Sequence, residues 1–397
     1  MDQRLAEAWE TGAMVRPRAE SPNFVDLVRA IAKRAGWREP VCSDSVNRIA
    51  ELIGPAEHLV FVLVDAMGSR MLSPLPQDSF LRTHTAAELV AICPATTACA
   101  MTSIATGAWT SEHGMPEWWA YLDEFNLSTT GLRFIERFSE TPLDKYGVRA
   151  DDLWPLPTIM PGMAYDALCI KPAGIWDSTF SRYFRGGCAG AGYTSVPHAM
   201  DIISDRIRRA KRPTYTFLYL PQFDEACHDF GVGSHEAAES LRLIDRELSR
   251  LADGLGGRAR LVISADHGQV NVPRENCVLL YEGDPLLQFL HAPPTGSFRV
   301  SIFHVKEGCQ DAFTSMFEER FGRYIALLPS REIDDMHLFG PAPFSPLARR
   351  RFGDFVGFAL GNAGFAYYRP GKDPDELPIG HHSGMTPDEM YIPLILA

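Results

Sequence analysis

Three stretches of this 397-residue chain are apolar at both alternating positions, and each runs into an aspartate. They are the run from His58 to Val64 that meets Asp65, the run Thr214–Leu220 that leads to Asp224, and Leu261-Val-Ile-Ser-Ala that meets Asp266. A strand with one wet face alternates apolar and polar residues. A strand apolar at both parities is covered on both sides, as in a parallel sheet flanked by helices. Between the second and third runs the spacing predicts a helix. Ser234 caps it, Glu236 and Glu239 occupy its first turn, Leu241, Ile244, Leu248, Leu251 and Leu255 form one stripe, and Gly256-Gly257 stop it. Strand, helix and strand in that order give an α/β chain with a mostly parallel sheet sandwiched by helices. YIPLILA adds a fourth apolar run at the end of the sequence.

The rest of the chain is organised around that rhythm. Residues 1–57 read as a helical lead-in, from the apolar spacing in FVDLVRAIAKRAG and VNRIAELIG. Residues 58–283 form the core, interrupted at about 115–190 by an aromatic- and glycine-rich insert. Residues 284–345 hold FRVSIFHV, CQDAFTSMFEERFG and YIALLP, expected as a small inserted α+β subdomain, and 346–397 return to the core. Fifty acidic against 38 basic side chains give a formal charge of −12, which does not suit binding to a nucleic-acid duplex. No apolar run approaches the ~20 residues that cross a bilayer, and MDQRLAEAWETGAMVRPR has no apolar export core. The eight cysteines are dispersed without a CxxC pair. These features predict a cytoplasmic protein with reduced thiols and no membrane partner. They leave oligomeric state open.

In open α/β sheets, ligands sit at the carboxyl ends of the strands. A lone aspartate there is an ordinary turn former. Here three would arrive at one edge, two with a histidine nearby. Asp224 and His228 stand four apart, on one side of a helical turn. Asp266 and His267 are adjacent, before Gly268, and Gly380-His381-His382-Ser383-Gly384 follows near the end. Carboxylates mixed with imidazoles suit zinc, and also manganese or iron, and the set suffices for two divalent ions. Cys93-Pro-Ala-Thr96-Thr97 opens a helix that Gly107 ends. Thr96 or Thr97 therefore lies at a helix amino terminus, as a cap or as a hydroxyl facing an anion.

VLVDAMG, PATTACAMTSIATG with His113-Gly114 after it, FDEACH, SADHG and HHSG occur in this order, and together they resemble the alkaline phosphatase superfamily. The type I phosphodiesterase/nucleotide pyrophosphatase branch is the most similar, over about residues 58–115, 214–282 and 350–397. The resemblance implies an alkaline-phosphatase-like core and a small-molecule phosphate ester as substrate. It implies one metal held by Asp65, Thr97, Asp266 and His267, with Thr97 the nucleophile, because the family's nucleophile stands three residues after the proline. It implies a second metal held by Asp224, His228 and His382, with His382 chosen over His381 because it precedes a small-residue/glycine pair. The expected reaction is phosphodiester or pyrophosphate cleavage through a phosphothreonine. Phosphomonoester or phosphonate hydrolysis, transfer to another acceptor, and a non-catalytic metal-retaining binding protein are the alternatives. Where many members of the branch carry an asparagine past the His-Gly pair, this chain has Glu117-Trp118-Trp119. The Cys/Ser-x-Pro-x-Arg signature of sulfatases is absent. Trp118, Trp119, Tyr121, Trp154, Trp176, Phe180, Tyr183 and Phe184 are either a stacking wall or insert packing. Arg133, Arg137, Lys171 and Arg185 are candidate charge neutralisers, and His113 is expected to fix a turn.

Overall fold

The computed structural model describes residues 2–38, 43–368 and 377–397, so Cys42 lies outside the described residues. The lead-in forms helices Gln3–Glu10, Phe24–Arg34 and Asp44–Ile53. Asn23 caps the second and Ser43 the third by accepting the Asp26 and Val46 amides. Their apolar faces are buried, Phe24, Leu27 and Ile31 on one and Val46, Ile49 and Ile53 on the other.

The main sheet has seven strands, in the order Thr85–Val90, Tyr391–Leu396, Ala259–Ser264, His58–Val64, Thr214–Leu220, Asp166–Pro172 and Ala189–Tyr193. The last five are mutually parallel, and Tyr391–Leu396 pairs antiparallel with both of its neighbours. Every residue of His58–Val64 and of Thr214–Leu220 is buried, as strands covered on both faces must be. Two groups of helices flank the sheet. One contains Phe24–Arg34, Thr97–Thr106 and Thr179–Arg185; the other contains Val196–Arg209, Gln222–Phe230 and His235–Leu255. The helix His235–Leu255 follows its sequence signals. Ser234 accepts the Ala237 amide, the stripe from Leu241 to Leu255 is buried, and Gly256 closes the helix at φ 55°.

Register fixes where the aspartates emerge. Val64 lies beside Leu220, and Leu63 beside Ser264, so three strands end at the same edge. A second, antiparallel sheet runs Ile325–Pro329, Phe355–Ala359, Val300–Phe303, Thr295–Gly296, Trp119–Leu122, Leu127–Thr130 and Ile135–Glu136. It joins strands from both stretches that the sequence set apart as separate inserts, and it takes in Phe355–Ala359 from beyond residue 345. The helix Gln310–Phe321 buries Phe313, Phe317 and Phe321 in a core of this sheet's own, together with Phe303, Phe355 and Phe365. Among the described residues no helix is long and apolar enough to cross a membrane.

Candidate metal centre

Each strand end delivers its side chain through a different local device. Asp65 directly follows His58–Val64, and the backbone then turns through Ala66 at φ 61°. Asp224 lies in the first turn of the helix Gln222–Phe230, with His228 one turn later and its Nε2 3.4 Å from Asp224 Oδ1. Asp266 follows Ala259–Ser264, and its Oδ1 accepts the amides of Ala66 at 3.2 Å and His267 at 3.1 Å. Its other oxygen, Oδ2, is buried with no hydrogen-bond partner. Thr97 is the first residue of the helix Thr97–Thr106, with Thr96 in the cap position.

These groups converge. Thr97 Oγ1 stands 3.4 Å from both oxygens of Asp65 and 3.2 Å from His267 Nε2. His267 Nε2 is 3.4 Å from Asp65 Oδ1 and 3.5 Å from Asp266 Oδ2. The rings of His267 and His382 stack at 3.9 Å, and those of His228 and His382 stand 5.2 Å apart. Two groupings place one ligand atom per residue within 4.8 Å of one another: Asp65, Asp266 and His267, and Asp224, His267 and His382. His267 belongs to both, whereas the resemblance implied it for one ion alone. His381 faces elsewhere. Its ring stacks on Phe298 at 3.9 Å, and its Nε2 lies 2.9 Å from Pro378 O.

Backbone carbonyls orient the imidazoles. The Nδ1 atoms of His228, His267 and His382 lie 2.7, 3.0 and 3.2 Å from the carbonyls of Gly380, Gly268 and Ala95. With Nδ1–H donating there, each Nε2 keeps its lone pair for the cluster. Burial lowers His267 to about 4, and burial beside His267 and His228 takes His382 well below its usual range. The carboxylates are pushed the other way. Burial and then the Asp266 charge raise Asp65, burial and then the Asp65 charge raise Asp224, and burial raises Asp266 to about 6. Three crowded carboxylates beside three imidazoles, with one carboxylate oxygen unsatisfied, are a donor set that divalent cations complete. The residues present therefore fit metal.

Sequence reasoning missed several contributors. Tyr219 donates its hydroxyl to Asp65 Oδ2. Its signal was a hydroxyl-bearing ring one residue from the end of an apolar strand. Gln269 donates to Asp224 Oδ1 at 3.1 Å, and nothing in its type or spacing marked it. The aromatic stretch is largely packing. Trp154 stacks on Tyr183 at 5.4 Å beside Phe180, and Trp154, Phe180 and Phe184 are buried. Of the candidate cations, Arg133 pairs with Glu140 and Arg185 with Asp177. Lys171 is buried beneath Phe180 and Phe184. His113 binds Ser103 Oγ at 3.1 Å and the Met115 amide at 3.0 Å, which fixes the turn after the helix.

A mostly parallel sheet whose carboxyl edge gathers three aspartates and three histidines around one threonine defines an α/β protein of the alkaline-phosphatase-like kind. The type I phosphodiesterase / nucleotide pyrophosphatase family pattern matches residues 59–292, and the chain belongs to that family. Its fold is similar to that of murine ectonucleotide pyrophosphatase/phosphodiesterase 5, with a TM-score of 0.63 and 16% identity over 85% of this chain and 87% of that one. It is equally similar to phosphonoacetate hydrolase from Sinorhizobium meliloti 1021, with a TM-score of 0.62 and 16% identity over 85% and 89% of the two chains. Among curated proteins, venom phosphodiesterase 2 of Crotalus adamanteus is 30% identical over 108 residues, which is 26% of this chain and 13% of that protein. The chain thus matches about an eighth of the length of these curated relatives.

Proposed function

We propose that this chain is a metal-dependent hydrolase of phosphoric esters that cleaves phosphodiesters or pyrophosphates through a phosphothreonine at Thr97. The observation that carries the reading is the Thr97 hydroxyl, which faces both Asp65 and His267 in a cluster of buried carboxylates and imidazoles. Asp65, Thr97, Asp266 and His267 would hold one ion and Asp224, His228 and His382 the other, with His267 within reach of both groupings. When bound, two divalent ions, zinc or the similar manganese or iron, would lower the pKa of the Thr97 hydroxyl and neutralise the phosphoryl oxygens.

The chain's own residues supply the remainder. The helix Thr97–Thr106 presents Thr97 at its amino terminus, where free amides favour an anionic phosphoryl group. Tyr219 and the backbone amides of Ala66 and His267 fix Asp65 and Asp266, and the carbonyls on each Nδ1 fix the imidazoles. Thr97 then attacks phosphorus in line with the departing alcohol, and water cleaves the phosphothreonine in a second step.

The type I phosphodiesterase / nucleotide pyrophosphatase pattern over residues 59–292 supports a diester or pyrophosphate as the substrate. Phosphonate hydrolysis is the second reading, because a solved structure of similar fold holds phosphonoacetate. An inactive threonine-to-alanine variant of the murine protein holds AMP, which supports a small phosphate ester as the ligand. The thiols of Cys93, Cys99, Cys169, Cys188, Cys227, Cys277 and Cys309 are free, which supports a reducing, cytoplasmic setting.

Zinc-loaded protein should turn over bis(p-nitrophenyl) phosphate faster than p-nitrophenyl phosphate or phosphonoacetate, and chelation should abolish turnover. Thr97→Ala should lose turnover while keeping its metal. A preference for the monoester or the phosphonate refutes the diester reading, and an active Thr97→Ala protein removes Thr97 as nucleophile.

A further inference from the structure

The two ligand groupings differ in exposure. The side chains of Asp65, Asp266 and His267 are sealed from solvent, whereas those of Asp224 and His228 keep 14% and 28% of their surface exposed. The first grouping would hold an inner ion and the second an outer one. Their supports differ too. Tyr219 and the amides of Ala66 and His267 hold the inner carboxylates. At the outer grouping, the hydrogen bond that Asp224 Oδ1 accepts comes from the Gln269 carboxamide, at 3.1 Å.

Gln269 sits where the outer grouping is assembled. Its side chain is wholly buried, and it packs against Gly380, where an added Cβ would stand 3.3 Å from Gln269 Cδ. The Gly380 carbonyl is the group 2.7 Å from His228 Nδ1. Val270 and Asn271 pair antiparallel with His381 and Gly380, so Gln269 precedes and His382 follows the same two-residue ladder. The other end of the carboxamide is unsupported. Gln269 Oε1 is buried with no hydrogen-bond partner. That oxygen destabilises the fold, and a hydrocarbon of the same size would remove it. The compensating contact is the donor on Asp224, a hydrogen bond to a carboxylate.

We propose that Gln269 is the positioning residue of the outer ion: its Nε2–H fixes the rotation of the Asp224 carboxylate and so sets the affinity of the outer grouping without altering the inner one. The inference rests on the two-ion reading of the site and on no turnover. Gln269→Met keeps the length of the side chain and removes the donor and the unsatisfied oxygen together.

The test is a zinc titration of the metal-free full-length chain against a chromogenic chelator, with the melting temperature of the metal-free protein measured alongside. Wild type should bind two zinc ions. Gln269→Met is expected to weaken one of them about 10- to 100-fold and to leave the other within about twofold, with the metal-free melting temperature almost unchanged. Tyr219→Phe, which takes a donor from Asp65, should weaken the other ion. Both ions weakened alike by Gln269→Met, or neither weakened, overturns the inference. A clearly lower metal-free melting temperature overturns it as well, because the amide would then be structural. If Gln269→Met does not fold, Gln269→Asn, whose amide stops one carbon short of Asp224, takes its place with the same expected and refuting results. A wild-type chain that binds fewer than two zinc ions sinks the two-ion reading itself, and the inference with it.

Discussion

The guanidinium of Arg299 lies 2.8 Å from the carboxylate of Glu389, and both side chains are sealed from solvent. A second bond of 2.9 Å from Arg299 Nε makes the pair bidentate. Glu389 also accepts the amides of Gly384 at 2.8 Å and Thr386 at 3.1 Å and the Thr386 hydroxyl at 2.7 Å, while its backbone carbonyl accepts the Gly268 amide at 2.8 Å. One residue thereby anchors the chain just after His267 and just after His382, and Arg299 fastens it to the second sheet.

Removing Arg299 would leave a buried, uncompensated carboxylate. Arg299→Met is expected to cost about 3–5 kcal/mol of stability, read as a lower urea midpoint. A loss below ~1 kcal/mol would show that the pair is not a structural anchor.

Tyr219 is the neighbour that orients Asp65. Tyr219→Phe keeps the ring and removes the hydroxyl that donates to Asp65 Oδ2. Zinc affinity should fall about tenfold with the melting temperature almost unchanged, as measured by competition with a chromogenic chelator.

Glu117 should leave a signature in stability against pH. Its carboxyl is raised by burial to about 7, so the folded state favours the proton. That contribution is complete below the unfolded value of about 4.3 and is lost as pH rises through about 7. Metal-saturated wild type should therefore lose roughly 3 kcal/mol relative to Glu117→Gln between pH 4.5 and pH 8. Parallel curves for the two proteins across that range would contradict the raised carboxyl.

Gly268 follows His267 where two chain segments cross. A Cβ there would stand 1.9 Å from the Asp388 carbonyl, a backbone atom with no rotamer to yield. Gly268→Ala should destabilise the protein by about 3 kcal/mol and reduce the zinc bound per chain, as measured by metal analysis of the purified variant.

Much of the cluster was legible because long apolar runs have few alternatives. Asp65 and Asp266 end strands that are buried on both faces, so parallel pairing alone brings them together. Asp224 and His228 needed only the helical repeat. The second sheet was hidden for the opposite reason. Its strands are two to five residues long and pair antiparallel across large sequence separations, as Gly296 does with Trp119, and such short segments carry almost no periodicity. Tyr219 and Gln269 were hidden because their importance lies in what they touch, which neither residue type nor spacing records.

The histidine that stacks on His267 comes from the last sixteen residues, and the closing strand Tyr391–Leu396 wedges between Thr85–Val90 and Ala259–Ser264. A chain cut before His382 would therefore keep the strands that lead to Asp65, Asp224 and Asp266 but lose one imidazole of the cluster and the strand that joins Thr85–Val90 to Ala259–Ser264.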